Sequence, residues 1–219
     1  MNFPAIAKQT FDLLKENPMF SSISDFIILH LKKIDSPTDR AQFVHDAVDD
    51  YNLEVFAHPL VKELVACKIG CSACCHTQVS ITEDESELLA QKVLGGIKID
   101  YALLRKQMSA KNEENNFNKL SYEDRKCVFL AEDRTCQVYD DRPSVCRTNA
   151  VLGSPSQCSP NPISGEKQTL RLVKTSKADM AIIASFIVSH SSGTLASMLG
   201  NTLFKKKSIK KYISNDSVL

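Results

Sequence analysis

The chain has 219 residues, with Lys+Arg 27 against Asp+Glu 26 and a net charge of +1. That length can bury a real core, and 43% hydrophobic with 24% charged residues is ordinary for a folded chain. A disordered chain, a collagen-like chain and a globally basic nucleic-acid binder are excluded, so nucleic acid is not an expected partner. No apolar run is long enough for a membrane span; Ala181 to Val188 reads as core helix.

The opening residues lack the basic-then-apolar pattern of a secretory signal, so a cytoplasmic location is expected. Ile23, Phe26, Ile27, Leu31 and Ile34 follow the helical period. Ser36 and Pro37 read as N-cap and first position of a second helix, with Asp39 in its first turn. Phe43, Val44, Ala47, Val48 and Tyr51 continue one face of it. His58 and Pro59 start a third helix, with Leu60, Leu64 and Val65 apolar, which delivers the chain to Cys67.

Gln78 to Ile81 reads as a short extended stretch. Thr82 to Glu85 is a capping box, followed by Leu88, Leu89, Val93 and Leu94 and stopped at Gly95 and Gly96. Residues 100–109 resume helical spacing, and the polar, Asn-rich run Lys111 to Lys119 reads as a loop. Gln168 to Lys174 reads as a strand. Ala178 to Leu199 reads as an apolar helix broken near Ser191, Ser192 and Gly193, and Lys205 to Lys211 as a solvated, frayed basic tail.

All eight cysteines fall in residues 67–158, a window of 92 residues, with none in the first 66 or the last 61. Cytosolic thiols stay reduced, so such a cluster binds metal or does redox chemistry in preference to forming disulfides. Cys67, Cys71, Cys74 and Cys75 lie within nine residues, and a bond between neighbours Cys74 and Cys75 would be strained. Cys127, Cys136, Cys146 and Cys158 complete the set. Short intervals let one turn of backbone aim several sulfurs at one point, and zinc or iron neutralises thiolates that would otherwise repel. All eight are candidate metal ligands. Lys68, Arg125, Lys126, Arg134, Arg142 and Arg147 lie near them in sequence and can offset residual negative charge. His76 is read as a hydrogen-bonding neighbour of the ligands. His30, His45, His58 and His190 are read as surface or satisfied core residues.

The stretches Cys67-KIG-Cys71-SA-Cys74-Cys75-His76, Cys127-VFL, Cys136-QVYDDRPSV-Cys146-Arg147 and SPSQ-Cys158 resemble the YkgJ-type cysteine-cluster family. These are zinc- or iron-chelating domains of the CxxCxxCC kind, and the resemblance covers about residues 64–160. It implies metal binding and says little about a reaction. A related cysteine cluster is attributed to the flagellin lysine methylases, which implies an iron–sulfur centre and S-adenosylmethionine. Ser72 and Ala73 stand where family members often carry Gly.

The C-x3-C-x2-C spacing is also the radical S-adenosylmethionine signature. Helices precede the loop here, no βα repeats follow, and Ala73 stands where an aromatic is usual, which weighs against that chemistry. The spacing favours an iron–sulfur cluster over a zinc or iron ion, because the second block makes no paired zinc knuckle. The expected architecture is mainly α with little β, helices around a loop-rich core pinned by metal. Residues 1–66 form a helical lobe, 67–160 the cysteine-cluster domain and 161–219 a strand, helix and basic tail packed with the rest. The expected function is metal binding. The alternatives are an enzyme using the cluster for redox or methyl transfer from S-adenosylmethionine, and a zinc-stabilised protein-interaction module.

Overall fold

The computed structural model describes residues 4–67, 70–110, 114–153, 158 and 171–215. Among these residues the chain is mainly α with little β: ten α-helices and four three-residue strands. The first helices are α1 (Ala5–Leu14), α2 (Phe20–Leu31), α3 (Pro37–Ala57) and α4 (Pro59–Leu64). Ser36 caps α3 by accepting from the Asp39 amide at 3.3 Å, and Pro37 fixes its first turn. Helix α4 forms where the sequence places it, but its leucines do not enter the core: Leu60 and Leu64 are exposed.

The middle holds β1 (Ser80–Thr82), α5 (Glu83–Leu94), α6 (Tyr101–Ser109), α7 (Glu114–Asn118), α8 (Ser144–Arg147) and β2 (Ala150–Leu152). Helix α7 corrects the loop expected at 111–119, of which 111–113 lie outside the described residues. Phe117 is buried there, and one apolar anchor is enough to set a short turn of helix. The end of the chain holds β3 (Arg171–Val173), α9 (Ser176–Val188), β4 (Ser192–Thr194) and α10 (Leu195–Asn215). The break near Ser191 to Gly193 is therefore a strand, paired antiparallel with β1. The basic run continues α10 as helix and does not fray at Lys205; Lys206 pairs with Glu87 at 2.6 Å. The expected strand at 168–174 appears as β3, paired with β2; residues 168–170 lie outside the described residues.

Two apolar cores frame the molecule. In the first, α9 is buried on nearly every face, with Met180 to Phe186 packed between α1, α2 and α3 through Phe20, Ile27, Leu31, Val44 and Val48. A helix apolar all round needs neighbours on all sides, and these three supply them. The second core joins α5, α6 and α10 through Leu89, Leu104, Leu199 and Leu203. Gly200 permits the closest approach: a Cβ there would meet the Met108 sulfur of α6 at 2.3 Å.

A buried carboxylate ties the parts together. Glu85 completes the capping box, its Oε2 accepting from the Thr82 amide at 3.1 Å. Its Oε1 accepts from the Ser144 amide at 2.7 Å, the Ser144 hydroxyl at 2.8 Å and His45 Nε2 at 3.2 Å. One side chain of α5 thus fixes the start of α8 and holds α3. Burial pushes the Glu85 carboxyl up, but His45, then the Ser144 and Thr82 amides, outweigh it and hold it below the ordinary value.

Glu85→Ala strips partners from buried donors and is expected to cost about 3 kcal/mol or more, read as a lower urea midpoint at neutral pH. Glu85→Gln keeps one accepting oxygen and loses less. Because the folded carboxyl sits below its ordinary 4.5, its contribution is complete above pH 4.5 and fades as pH falls through the folded value. The gap between wild type and Glu85→Gln should close on acidification; a gap independent of pH would contradict the ionised assignment.

Candidate metal centre

The cysteine blocks meet between the two cores. Cys74 and Cys75 lie in a tight 3-10 turn, Ala73–His76, and the Cys75 carbonyl accepts from the Cys127 amide at 2.7 Å. That bond joins the first block to the second. From Cys127 the chain turns back on itself: the Ala131 amide donates to the Thr135 carbonyl at 2.9 Å, and Asp133 accepts from the Thr135 amide at 3.0 Å and from its hydroxyl at 2.6 Å. Arg134 takes a positive φ of 67° in this turn. Leu130 then bridges Cys136, and the Gln137 amide donates to the Phe129 carbonyl at 2.9 Å. Cys146 lies in α8, already fixed by Glu85. Cys67 follows Ala66, whose amide donates to Val151 of β2 at 2.8 Å.

All eight cysteines are free thiols, and Cys67, Cys71, Cys74, Cys75, Cys127, Cys136 and Cys146 line one cleft of about 1400 Å³. Cys158 stands between two stretches outside the described residues, and its thiol interacts electrostatically with Cys67, Cys71 and Cys74. Among the described residues, no three Cys, His, Asp or Glu side chains are grouped closely enough to hold an ion as they stand. The thiols share a cleft; they do not form a closed cage.

Protonation follows the crowding. The Cys75 thiol hydrogen-bonds Cys74 and lowers it to about 7 against the effect of burial, with Arg142 assisting. The same hydrogen bond, with burial and the neighbouring Cys74, Cys127 and Cys146, raises Cys75. Burial, then Cys136 and Cys74, push Cys127 up to about 11. Burial, then Cys127 and Cys74, push Cys146 well above its ordinary value. Burial likewise raises Cys67, Cys136 and Cys158. The donor chemistry fits a cation: thiols that keep their protons only because nothing offsets their charge release them to a metal.

Four arginines line the cleft by separate routes, Arg125 with its guanidinium 5.8 Å from the centre of the Tyr122 ring. Arg134 Nε donates to the Ser72 hydroxyl at 3.1 Å, tying the 131–135 turn to the first block. Arg142 lies 4.0 Å over the Tyr139 ring. Arg147 is buried, donating to Asp49 of α3 and to the Asp140 carbonyl. The sequence flagged all four arginines but not Asp49, which lies 98 residues from Arg147. His76 stacks on Tyr122 at 4.0 Å, with its Nδ1 at 3.1 Å from the Ser72 carbonyl, and Tyr122 had no sequence signal to announce it. His45 is a fully buried partner of Glu85, as a satisfied core histidine should be on that side; its Nδ1 has no partner among the described residues.

Residues 66–170 match the CxxCxxCC family, described as “Putative zinc- or iron-chelating domain”. Neither a curated protein nor a solved structure matches the chain.

Iodoacetamide applied to metal-free protein near pH 7 should label Cys74 first and Cys127 and Cys146 last. The thiolate fractions differ by thousands, and the greater nucleophilicity of the high-pKa thiols narrows the rate gap to about 100-fold. Peptide mass spectrometry over time checks the order, and early labelling of Cys127 would contradict it.

Proposed function

We propose that this protein binds metal as a thiolate-ligated iron–sulfur centre in the cleft between its two cores, a reading supported by the match of residues 66–170 to the CxxCxxCC zinc- or iron-chelating domain. The observation that carries this reading is the convergence of seven free cysteines on one cleft. A single tetrahedral zinc ion takes four donors and would leave the others idle. Iron–sulfur clusters use cysteine thiolates throughout, and the tight C-x3-C-x2-C loop suits them. Arg134 and Arg142 supply positive charge beside a centre that four thiolates leave negative, while Arg147 is paired with Asp49. No three donors among the described residues stand close enough to hold an ion, so closing the shell requires the cysteines to draw together as metal binds. When bound, an iron–sulfur centre supplies one-electron redox chemistry. The reading places the chain in a reducing compartment such as the cytoplasm.

Anaerobic reconstitution with ferrous iron and sulfide tests the choice. Brown protein with matching iron and sulfide content is expected, together with a higher melting temperature. Protein that stays colourless and takes up zinc stoichiometrically would replace the cluster with a structural zinc site. Added S-adenosylmethionine separates the methyl-transfer alternative: a shifted cluster spectrum would favour it, and an unchanged one would leave the centre in electron transfer or metal handling.

A further inference from the structure

Arg125 differs from the other arginines of the cleft. Arg147 is paired with Asp49, Arg134 donates to Ser72, and Arg142 donates to the Tyr139 carbonyl at 2.9 Å. The Arg125 Nε is buried and has no hydrogen-bond partner among the described residues, and the guanidinium makes no ion pair among them. It lies against the Tyr122 ring, which stacks on His76.

The local structure holds this cation in place without giving it a counterion. Arg125 ends a 3-10 turn, Glu123–Arg125. The carboxylate next to it, Asp124, is taken up elsewhere: Lys106 donates to it at 2.5 Å and the Ser121 hydroxyl at 2.6 Å. The buried Gln107 amide of α6 donates to the Asp124 carbonyl at 2.9 Å and to the Lys126 carbonyl at 2.7 Å, so the backbone is clamped on both sides of Arg125. A buried charged donor without an acceptor is costly, and folded proteins seldom keep one unless a water, ion or ligand supplies the acceptor. A planar guanidinium takes a carboxylate or a phosphate through two parallel hydrogen bonds.

The cleft has room for such a ligand. Pockets of about 300–1,000 Å³ hold drug-sized molecules, and this one measures about 1400 Å³. A tetrahedral ion with sulfur bonds of about 2.3 Å fills little of that space. Phe117, Phe129, Val138 and Leu195 line the same cleft and give it an apolar wall.

We propose that the cleft binds a small organic anion beside the metal centre, with its carboxylate or phosphate on Arg125 and its apolar body against Phe117, Phe129 and Leu195. The proposal rests on the metal reading above for its setting, while the anion contact is made by Arg125 and needs no cysteine.

Calorimetric titration of the whole reduced chain under anaerobic conditions tests this, on metal-free protein and after reconstitution with ferrous iron and sulfide. Benzoate and phenyl phosphate are the probes, and benzyl alcohol is the uncharged control. At least one anion is expected to bind and benzyl alcohol is not; the tighter anion names the head group. Arg125→Gln should weaken that binding about 10- to 100-fold, the effect of losing a charge-assisted contact, and Arg125→Lys by less. Arg105→Gln, at a guanidinium that lies over Phe204 and does not line the cleft, should change nothing. Undiminished binding by Arg125→Gln, equal binding of benzyl alcohol, or no binding of either anion would overturn the proposal. The wild-type comparison of charged and uncharged probes decides even if a variant fails to fold. If no cluster forms yet an anion binds through Arg125, the iron–sulfur reading falls and this one stands. If a cluster forms and Arg125→Gln alters only its stability, with no anion bound, Arg125 is a counter-charge for the thiolates and the proposal is overturned.

Discussion

Thiols packed around one cleft cannot all ionise unless a cation takes the place of their protons. That constraint governs the middle of the molecule. Without a cation, the Cys74–Cys75 pair loses its first proton readily because one thiol hydrogen-bonds the other's thiolate, and the second proton is then held hard. Cys127 and Cys146, deeper and surrounded by other thiols, stay protonated. One thiolate, shared by the Cys74–Cys75 pair, thus stands among neutral thiols, with Arg142 the nearby charge that eases both Cys74 and Cys136. A cation among these sulfurs would offset the repulsion between thiolates, though not their burial, so metal binding and thiol deprotonation are coupled.

A cleft of this kind needs a frame that stands without the metal, and polar ties from distant parts of the chain provide it. Glu85 holds the Ser144 end of α8 while completing the cap of its own helix. Arg147, at the other end of α8, is anchored to Asp49 of α3. Arg40 of α3 grips Asp84 of α5 in a two-pronged pair at 2.9 and 2.7 Å. A planar guanidinium on a carboxylate fixes orientation as well as distance. Helix α3 therefore registers α5 and α8 against each other, and Cys146 inherits its position from that registration.

Local chemistry was legible in the sequence, and long-range chemistry was not. The caps at Ser36 and Thr82, the stop at Gly95, the break before α10 and the cysteine blocks themselves depend on neighbours within a few residues, so their signals survive in one dimension. Glu85 shows the limit. Its capping role is readable from Thr82, three residues away, but its role as an anchor depends on Ser144, 59 residues away. Asp49 looks like any solvent-facing carboxylate of an acidic helix until Arg147 arrives beside it. Strand β1 overlaps the extended stretch read at 78–81, whereas β4, three residues long in a helix break, is defined only by its pairing. Helix α7 was hidden by the polar residues around Phe117.

The family match ends where the frame does not. Residues 66–170 carry every cysteine, yet the walls and ties of the cleft come from both sides of that segment. Asp49 and His45 belong to α3, ahead of it. Strand β4, which pairs with β1, and α9, which fills the first core, come after it. Ser86 of α5 bonds Thr202 of α10 at 2.8 Å, and Asn52 of α3 accepts from the Thr175 amide at the start of α9 at 2.9 Å. Excised from these partners, the segment would lose Asp49, which pairs with Arg147, and His45, which is hydrogen-bonded to Glu85, and would open both sites to water. The flanking helices are thus part of the metal site in the physical sense: they set the spacing of the sulfurs that the cysteine pattern only enumerates.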